Sequence, residues 1–132
     1  MLCGATTVQF EGVPTFPNVS RVCNIVDKLK INPFYTAPTA IRAIQAHGLE
    51  QLKNNSLESL KVIGSVGEPI NEEAWHWYHD NVGKGNCPLV DTWWQTETGG
   101  IMISALAGIT PNKPAHASLP LPGIHPVIVD AE

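Results

Sequence analysis

Val90-Asp91-Thr92-Trp93-Trp94-Gln95-Thr96-Glu97-Thr98-Gly99-Gly100 starts as a β-prone apolar step and passes through two adjacent tryptophans. It ends in amide, hydroxyl and carboxyl side chains followed by two glycines. The opening reads as the end of a strand. A segment that only filled a core would not place Gln95, Thr96, Glu97 and Thr98 directly after an apolar run. A loop that only turned the chain would not carry two indoles. The mixture suits a ligand site, with aromatic walls, hydrogen-bonding groups and glycines that let backbone come close. The plainer alternative is a strand followed by a polar turn, with the tryptophans in the core.

The chain on either side alternates strand and helix. Residues 88–92 read as the strand that feeds this stretch. Before them, Asn71 is a good helix N-cap, and Glu72 and Glu73 suit the positive end of the helix dipole. Ala74, Tyr78 and Val82 share one face, with Trp75 beside them, and Gly83 closes the helix. Further upstream, residues 59–65 read as a strand that leads into the Gly67-Glu68-Pro69 turn, and residues 49–57 as a short helical turn. Pro38 opens a helix with Ala40, Ile41 and Ile44 as its buried stripe and Gly48 as its stop. Residues 31–37 form the strand before it.

Asn18 is placed to cap a helix running to about Lys30, with Val19, Val22, Cys23, Val26 and Leu29 at three- and four-residue steps. A first strand is expected over 5–10 and a proline-interrupted loop over 11–17. Downstream, a strand is expected over 101–106, a proline-rich loop over 108–122, and a last strand over 123–130 around Val127, Ile128 and Val129. This order predicts an α/β fold with a mostly parallel sheet flanked by helices. Ligands of such sheets bind outside the carboxyl ends of strands. The turns at 36–38, 67–69 and 92–97 all follow predicted strands.

Composition bounds the function. The 132 residues suffice for one modest domain with a core, and a hydrophobic fraction of 43% excludes a disordered tail. Net charge is −4 with no basic cluster, so nucleic acid and anionic membrane are poor partners. No apolar run approaches the ~20 residues that span a bilayer. Met1-Leu2-Cys3-Gly4 lacks the basic start and long apolar middle of a signal peptide. Cys3, Cys23 and Cys87 are scattered and form no CxxC, which fits free thiols in a reducing compartment and a cytoplasmic protein. His76 and His79 stand three apart on a helix, but two ligands alone make a solvated face a better reading than a metal site.

Residues 91–97 resemble the nucleotide motif of the adenylate-forming (AMP-binding) synthetases, and within them that of the acetate–CoA ligases. Two more blocks agree in the same order: Tyr35-Thr36-Ala37-Pro38-Thr39-Ala40-Ile41-Arg42 and Gly67-Glu68-Pro69-Ile70-Asn71. Three ordered blocks are far more specific than one. The resemblance implies that residues 1–132 are part of the large N-terminal AMP-binding domain. The phosphate loop would lie upstream, and the C-terminal domain with its catalytic lysine downstream, so no catalytic residue is assigned in this chain.

By the same resemblance, Gly67, Glu68, Pro69, Asp91, Thr92, Trp93, Trp94, Gln95 and Thr96 form the ATP/AMP site. Val66 and Trp94 line the acetate pocket, Thr15 and Ala37 meet CoA, and Glu97 takes Mg²⁺. The Thr15 position often holds an asparagine in the family. In the loop Lys113-Pro114-Ala115-His116-Ala117-Ser118-Leu119-Pro120, Ala115-His116 replaces the family's Gly-Ser. The implied partners are small molecules (ATP, acetate and CoA) and the rest of the parent chain. The implied activity is that of an acetate–CoA ligase, with the 132 residues inactive alone. The alternatives are a propionate or other short-chain acyl-CoA synthetase, and a non-catalytic, degenerate nucleotide-binding module.

Overall fold

Three short runs become strands because each alternates a side chain for the core with one for the opposite face. They are Pro33–Thr36 (β1), Val62–Ser65 (β2) and Leu89–Trp93 (β3). In the computed structural model, which describes residues 3–130, the three pair in parallel and in chain order. The register puts Phe34 beside Ile63 and Ile63 beside Leu89 on the face that packs into the core. Tyr35, Gly64 and Val90 fall in one row on the other face. Ile103–Ser104 (β4) adds an antiparallel edge, with Ser104 opposite Thr92 and Ile103 opposite Trp93. Met1 and Leu2, on which part of the leader reading rests, lie outside the described residues.

The parallel pairs need crossovers, and the helices supply them. Arg21–Leu29 (α1) precedes β1, Pro38–Ala46 (α2) joins β1 to β2, and Glu72–Asn81 (α3) joins β2 to β3. Pro38 stands in the first turn of α2, where its missing N–H is no loss. Asn71 caps α3 by accepting the Ala74 N–H at 2.9 Å. All three helices share one core with the sheet: Cys23 and Val26 from α1, Ile41 and Ile44 from α2, and Ala74 and Tyr78 from α3, with Val82 just after it. The buried Tyr78 hydroxyl donates to the Phe34 carbonyl at 3.2 Å, so its burial leaves no unpaired donor.

Several expectations change. Helix α1 starts at Arg21 rather than directly after Asn18, because the Asn18 side chain is occupied by the Ser20 hydroxyl at 2.7 Å. Leu29 ends the helix half exposed instead of joining the stripe. The strands expected over 5–10 and 123–130 do not form. β-Prone residues make a strand only where a neighbouring edge receives their N–H and C=O groups, and neither segment is paired. Ile128 is 100% exposed, while Phe10 lies beneath the Arg21 guanidinium, 5.0 Å from ring centroid to Cζ. The helical turn expected over 49–57 shortens to the 3-10 turn Leu49–Leu52, and the strand over 101–106 shortens to β4.

The link from α2 to β2 is held by Asp27 on α1. Its carboxylate accepts from the Leu57 N–H at 2.8 Å, the Ser56 N–H at 3.0 Å and the Asn55 side chain at 3.0 Å. Burial pushes the Asp27 pKa up, but the bonds from Asn55, Leu57 and Ser56 outweigh it and hold the carboxyl below its ordinary value. A depressed carboxyl pKa adds stability that is complete above the unfolded-state value, near 4, and is lost as pH falls through the folded value. Asp27→Ala should therefore lower the unfolding free energy by about 1–2 kcal/mol near neutral pH. In urea titrations, the gap between wild type and variant should close as pH drops toward 3.

Candidate functional site

The register brings Thr36, Ser65 and Asp91 level where the parallel pairing ends, at the carboxyl ends of β1 and β2, with β3 running on to Trp93. Beyond them the chain turns three times, at Ala37-Pro38, at Val66-Gly67-Glu68-Pro69 and at Trp94 to Glu97. The Val66 N–H continues the ladder by one step, donating to Thr36 O at 3.1 Å. Side chains then tie neighbouring strand ends. The Ser65 hydroxyl donates to the Asp91 carboxylate at 2.5 Å. The Thr92 hydroxyl donates to Ser65 O at 2.9 Å and pairs with the Tyr35 hydroxyl at 2.5 Å. Tyr35 thereby spans the sheet from β1 to β3 on its open face. It can do so because β2 offers Gly64 beneath it, where an added Cβ would come within 2.7 Å of the tyrosine ring.

At the second turn, Gly67 has φ +94°, a conformation that costs glycine nothing. A Cβ there would meet no atom within 4 Å, so the backbone is bare on that side. The Glu68 side chain leaves the turn and reaches α2. Its Oε1 accepts from the Thr39 N–H at 2.7 Å and from the Thr39 hydroxyl, and its Oε2 pairs with Arg42 at 3.0 Å. The Thr39 hydroxyl, opposed by a weaker burial effect and joined by the Thr39 N–H and Arg42, holds the Glu68 carboxyl below its ordinary pKa. Asp91 moves the other way. Burial raises its pKa, and the Ser65 hydroxyl, the Thr92 backbone and His116 only partly offset the rise.

The third turn is a 3-10 turn over Thr96–Thr98. Thr98 organises it, accepting from the Gln95 N–H at 3.0 Å and lying within donating distance of Gln95 O and Gly100 O. Trp93 and Trp94 are 44% and 43% exposed, so both indoles present surface at this edge. Glu97 is exposed on the 3-10 turn. Among the described residues no group of three or more His, Cys, Asp and Glu is placed to hold a metal ion. Trp75 stacks on His79 at 5.1 Å, and the His79 Nδ1 faces Asp80 at 2.8 Å.

The sheet thus gathers Ala37, Val66, Gly67, Glu68, Pro69, Asp91, Thr92 and Trp93 at adjacent strand ends, and the chain carries Trp94, Gln95, Thr96 and Glu97 onward from there. Thr15 stands apart, in the loop before α1. That loop is held by Arg21, which donates to Glu11 O at 2.6 Å and Phe16 O at 2.9 Å. A groove of about 690 Å³ also lies elsewhere, between residues 5–10, α1 and β1. Its lining includes Val8, Ile25, Leu29 and Phe34, and none of the three strand-end turns except through the neighbouring Tyr35. Strand-end chemistry, rather than groove volume, marks the candidate site. Sequence reading missed the roles of Thr39, Arg42 and Ser65. The available signal was the i, i+3 placement of a hydroxyl and a guanidinium in the first turns of α2.

The pattern of the AMP-binding enzyme family matches residues 1–132. The acetyl-coenzyme A synthetase of Leptospira biflexa is 60% identical over 129 residues, covering 98% of this chain and 20% of that protein. That of Xanthomonas oryzae pv. oryzae is likewise 60% identical, with the same coverage. That of Beijerinckia indica is 59% identical over 128 residues, 97% of this chain and 20% of its own. The chain spans about one fifth of the length of these curated relatives. With the whole chain matched and its three turns aligned on one sheet edge, the protein belongs to the AMP-binding enzyme family.

Proposed function

We propose that this chain is part of the AMP-binding domain of an acetate–CoA ligase, a cytoplasmic enzyme whose partners are small molecules and the rest of its own polypeptide. The observation that carries the reading is the level alignment of Thr36, Ser65 and Asp91, which sends three family-like turns out on one edge. The relatives named acetyl-coenzyme A synthetase add the choice of acid. In the first step a carboxylate oxygen of acetate attacks the α-phosphorus of ATP, and pyrophosphate leaves. In the second the CoA thiol attacks the carbonyl carbon of acetyl-adenylate, its proton is lost, and AMP leaves.

On this reading the bare backbone of Gly67 and the rigid Pro69 lie along the adenine and ribose, with Glu68 fixing the turn. Asp91, Thr92, Trp93 and Gln95 continue the wall, and the Thr96 hydroxyl serves the α-phosphate. Glu97 suits Mg²⁺, which takes one or two carboxylates and fills its remaining positions with water and phosphate oxygens. Such an ion would offset phosphate charge as pyrophosphate departs. Val66 and the Trp94 indole bound the acetate methyl, while Ala37 and Thr15 face the path of CoA. The phosphate loop and the catalytic lysine come from other parts of the polypeptide, because residues 1–132 contain no Gly/Ser/Thr-rich loop ending in lysine.

The full-length polypeptide should catalyse acetate-dependent ATP–pyrophosphate exchange, and the purified 132-residue chain should stay at background. Exchange sustained by the short chain would overturn the division of labour. Exchange absent from the long one would overturn the ligase reading. Trp94→Gly in the full-length enzyme should open the acid pocket. A methylene excluded from a pocket is worth about 1–3 kcal/mol. The ratio of kcat/KM for acetate over butyrate should accordingly fall at least ~10-fold, and an unchanged preference would remove Trp94 from the pocket.

A further inference from the structure

We infer that Thr39 and Arg42 are positioning residues which, through Glu68, fasten the nucleotide-side turn to the CoA-side turn so that the two sites are set together. The inference rests on the reading of those turns given above. It begins from an unusual cap. The N-cap residue of α2 is Ala37, which has no side chain to satisfy the first N–H groups of the helix. Glu68, 29 residues further along, does this instead, accepting the Thr39 N–H at 2.7 Å. The same oxygen takes the Thr39 hydroxyl, and the second oxygen takes Arg42 at 3.0 Å. Arg42 also donates to the Thr39 hydroxyl at 3.2 Å, which closes the group.

Both carboxylate oxygens of Glu68 are therefore committed to α2. The positive end of the helix dipole and the guanidinium both favour the charge they meet. The Gly67 backbone next to Glu68 is bare on the side where a Cβ would point. Ala37 and Pro38 sit directly before Thr39, so the element that lines the CoA path is the element that anchors Glu68. A separate link further along, from the Gln45 amide to the Glu73 carboxylate at 3.2 Å, also joins α2 to α3. Loss of Arg42 should thus leave the helices packed and loosen only the two turns.

The test uses the full-length polypeptide with Arg42→Met, Arg42→Lys and Thr39→Val. Arg42→Met should raise the KM values for ATP and CoA together, each about threefold to tenfold, as for a partly exposed ion pair. The melting temperature should hardly move. Arg42→Lys keeps the charge and should recover part of both losses. Thr39→Val keeps the backbone bond and the guanidinium, so it should shift both values in the same direction but less; it carries the test if Arg42→Met does not fold. A rise confined to one substrate, or none in either, would overturn the coupling. Amide exchange of the wild-type protein gives a readout independent of activity. The Thr39 N–H should be protected, and exchange as fast as a free amide would also overturn the inference. A protected Thr39 in a polypeptide with no ligase activity would count against the ligase reading alone.

Discussion

Parallel pairing of Thr36 with Ser65 and of Ser65 with Asp91 forces three chain reversals out through one edge of the sheet. The three turns of the proposed nucleotide and acid site follow from that level pairing, while Thr15 stands apart from it. A slip of one residue in either pair would turn each side chain to the opposite face. Phe34, Ile63 and Leu89 would leave the core, and the Ser65 hydroxyl would lose the Asp91 carboxylate. The register is held from both sides of the sheet. On one side is the shared core, with Ile63 and Leu89 at 0% and 1% exposure. On the other is the Tyr35–Thr92 bond, which crosses the Cβ-free position at Gly64. The packed face supplies hydrophobic stabilisation that tolerates no offset, and the polar bond on the open face fixes the same alignment by direction.

Two carboxylates at neighbouring strand ends are driven in opposite directions by their surroundings. Asp91 is buried, and ionising it becomes harder, so the fold loses stability as pH rises through its elevated pKa. Glu68 is exposed but rich in donors, and it contributes stability that is lost only as pH falls through its depressed pKa. The difference separates their tasks. The buried Asp91 carboxylate is a structural hydrogen-bonding partner for the Ser65 hydroxyl. A carboxylate that stays charged at the surface can be an electrostatic anchor, and α2 is what it anchors.

Local signals read well from the sequence and distant ones did not. Asn71, with two glutamates behind it, placed the start of α3, and Pro38 placed the start of α2, because both effects act within one helical turn. The three parallel strands were legible from short apolar runs, each followed by a turn. The segments over 5–10 and 123–130 carry equally β-prone residues, yet they lack a paired edge, and propensity does not report the neighbour. The same limit hid the use of Glu68. Its place in a turn was visible, but partners 26 and 29 residues upstream come from α2 packing, not from spacing. The Tyr35–Thr92 bond spans 57 positions and was invisible for the same reason.

The loop around Ala115 shows tertiary constraint overruling residue preference. Its sequence departs from the resembled pattern at two positions, and alanine is poorly suited to positive φ. Ala115 nonetheless adopts φ +60° and Ser118 φ +80°. A left-handed conformation costs a residue with a Cβ about 1–2 kcal/mol, so something else must hold the loop in that shape. Its downstream end is pinned by backbone bonds, Ser104 N–H to Leu119 O at 2.9 Å and Leu121 N–H to Met102 O at 2.8 Å, with Ile103 bridging to Pro120. His116 stands near enough to Asp91 to favour its charged form. The shape a glycine would adopt freely is therefore imposed on alanine from outside, by attachment to the β4 edge. Attachment to the β4 edge thus holds two residues in left-handed conformations and keeps His116 where its charge acts on Asp91.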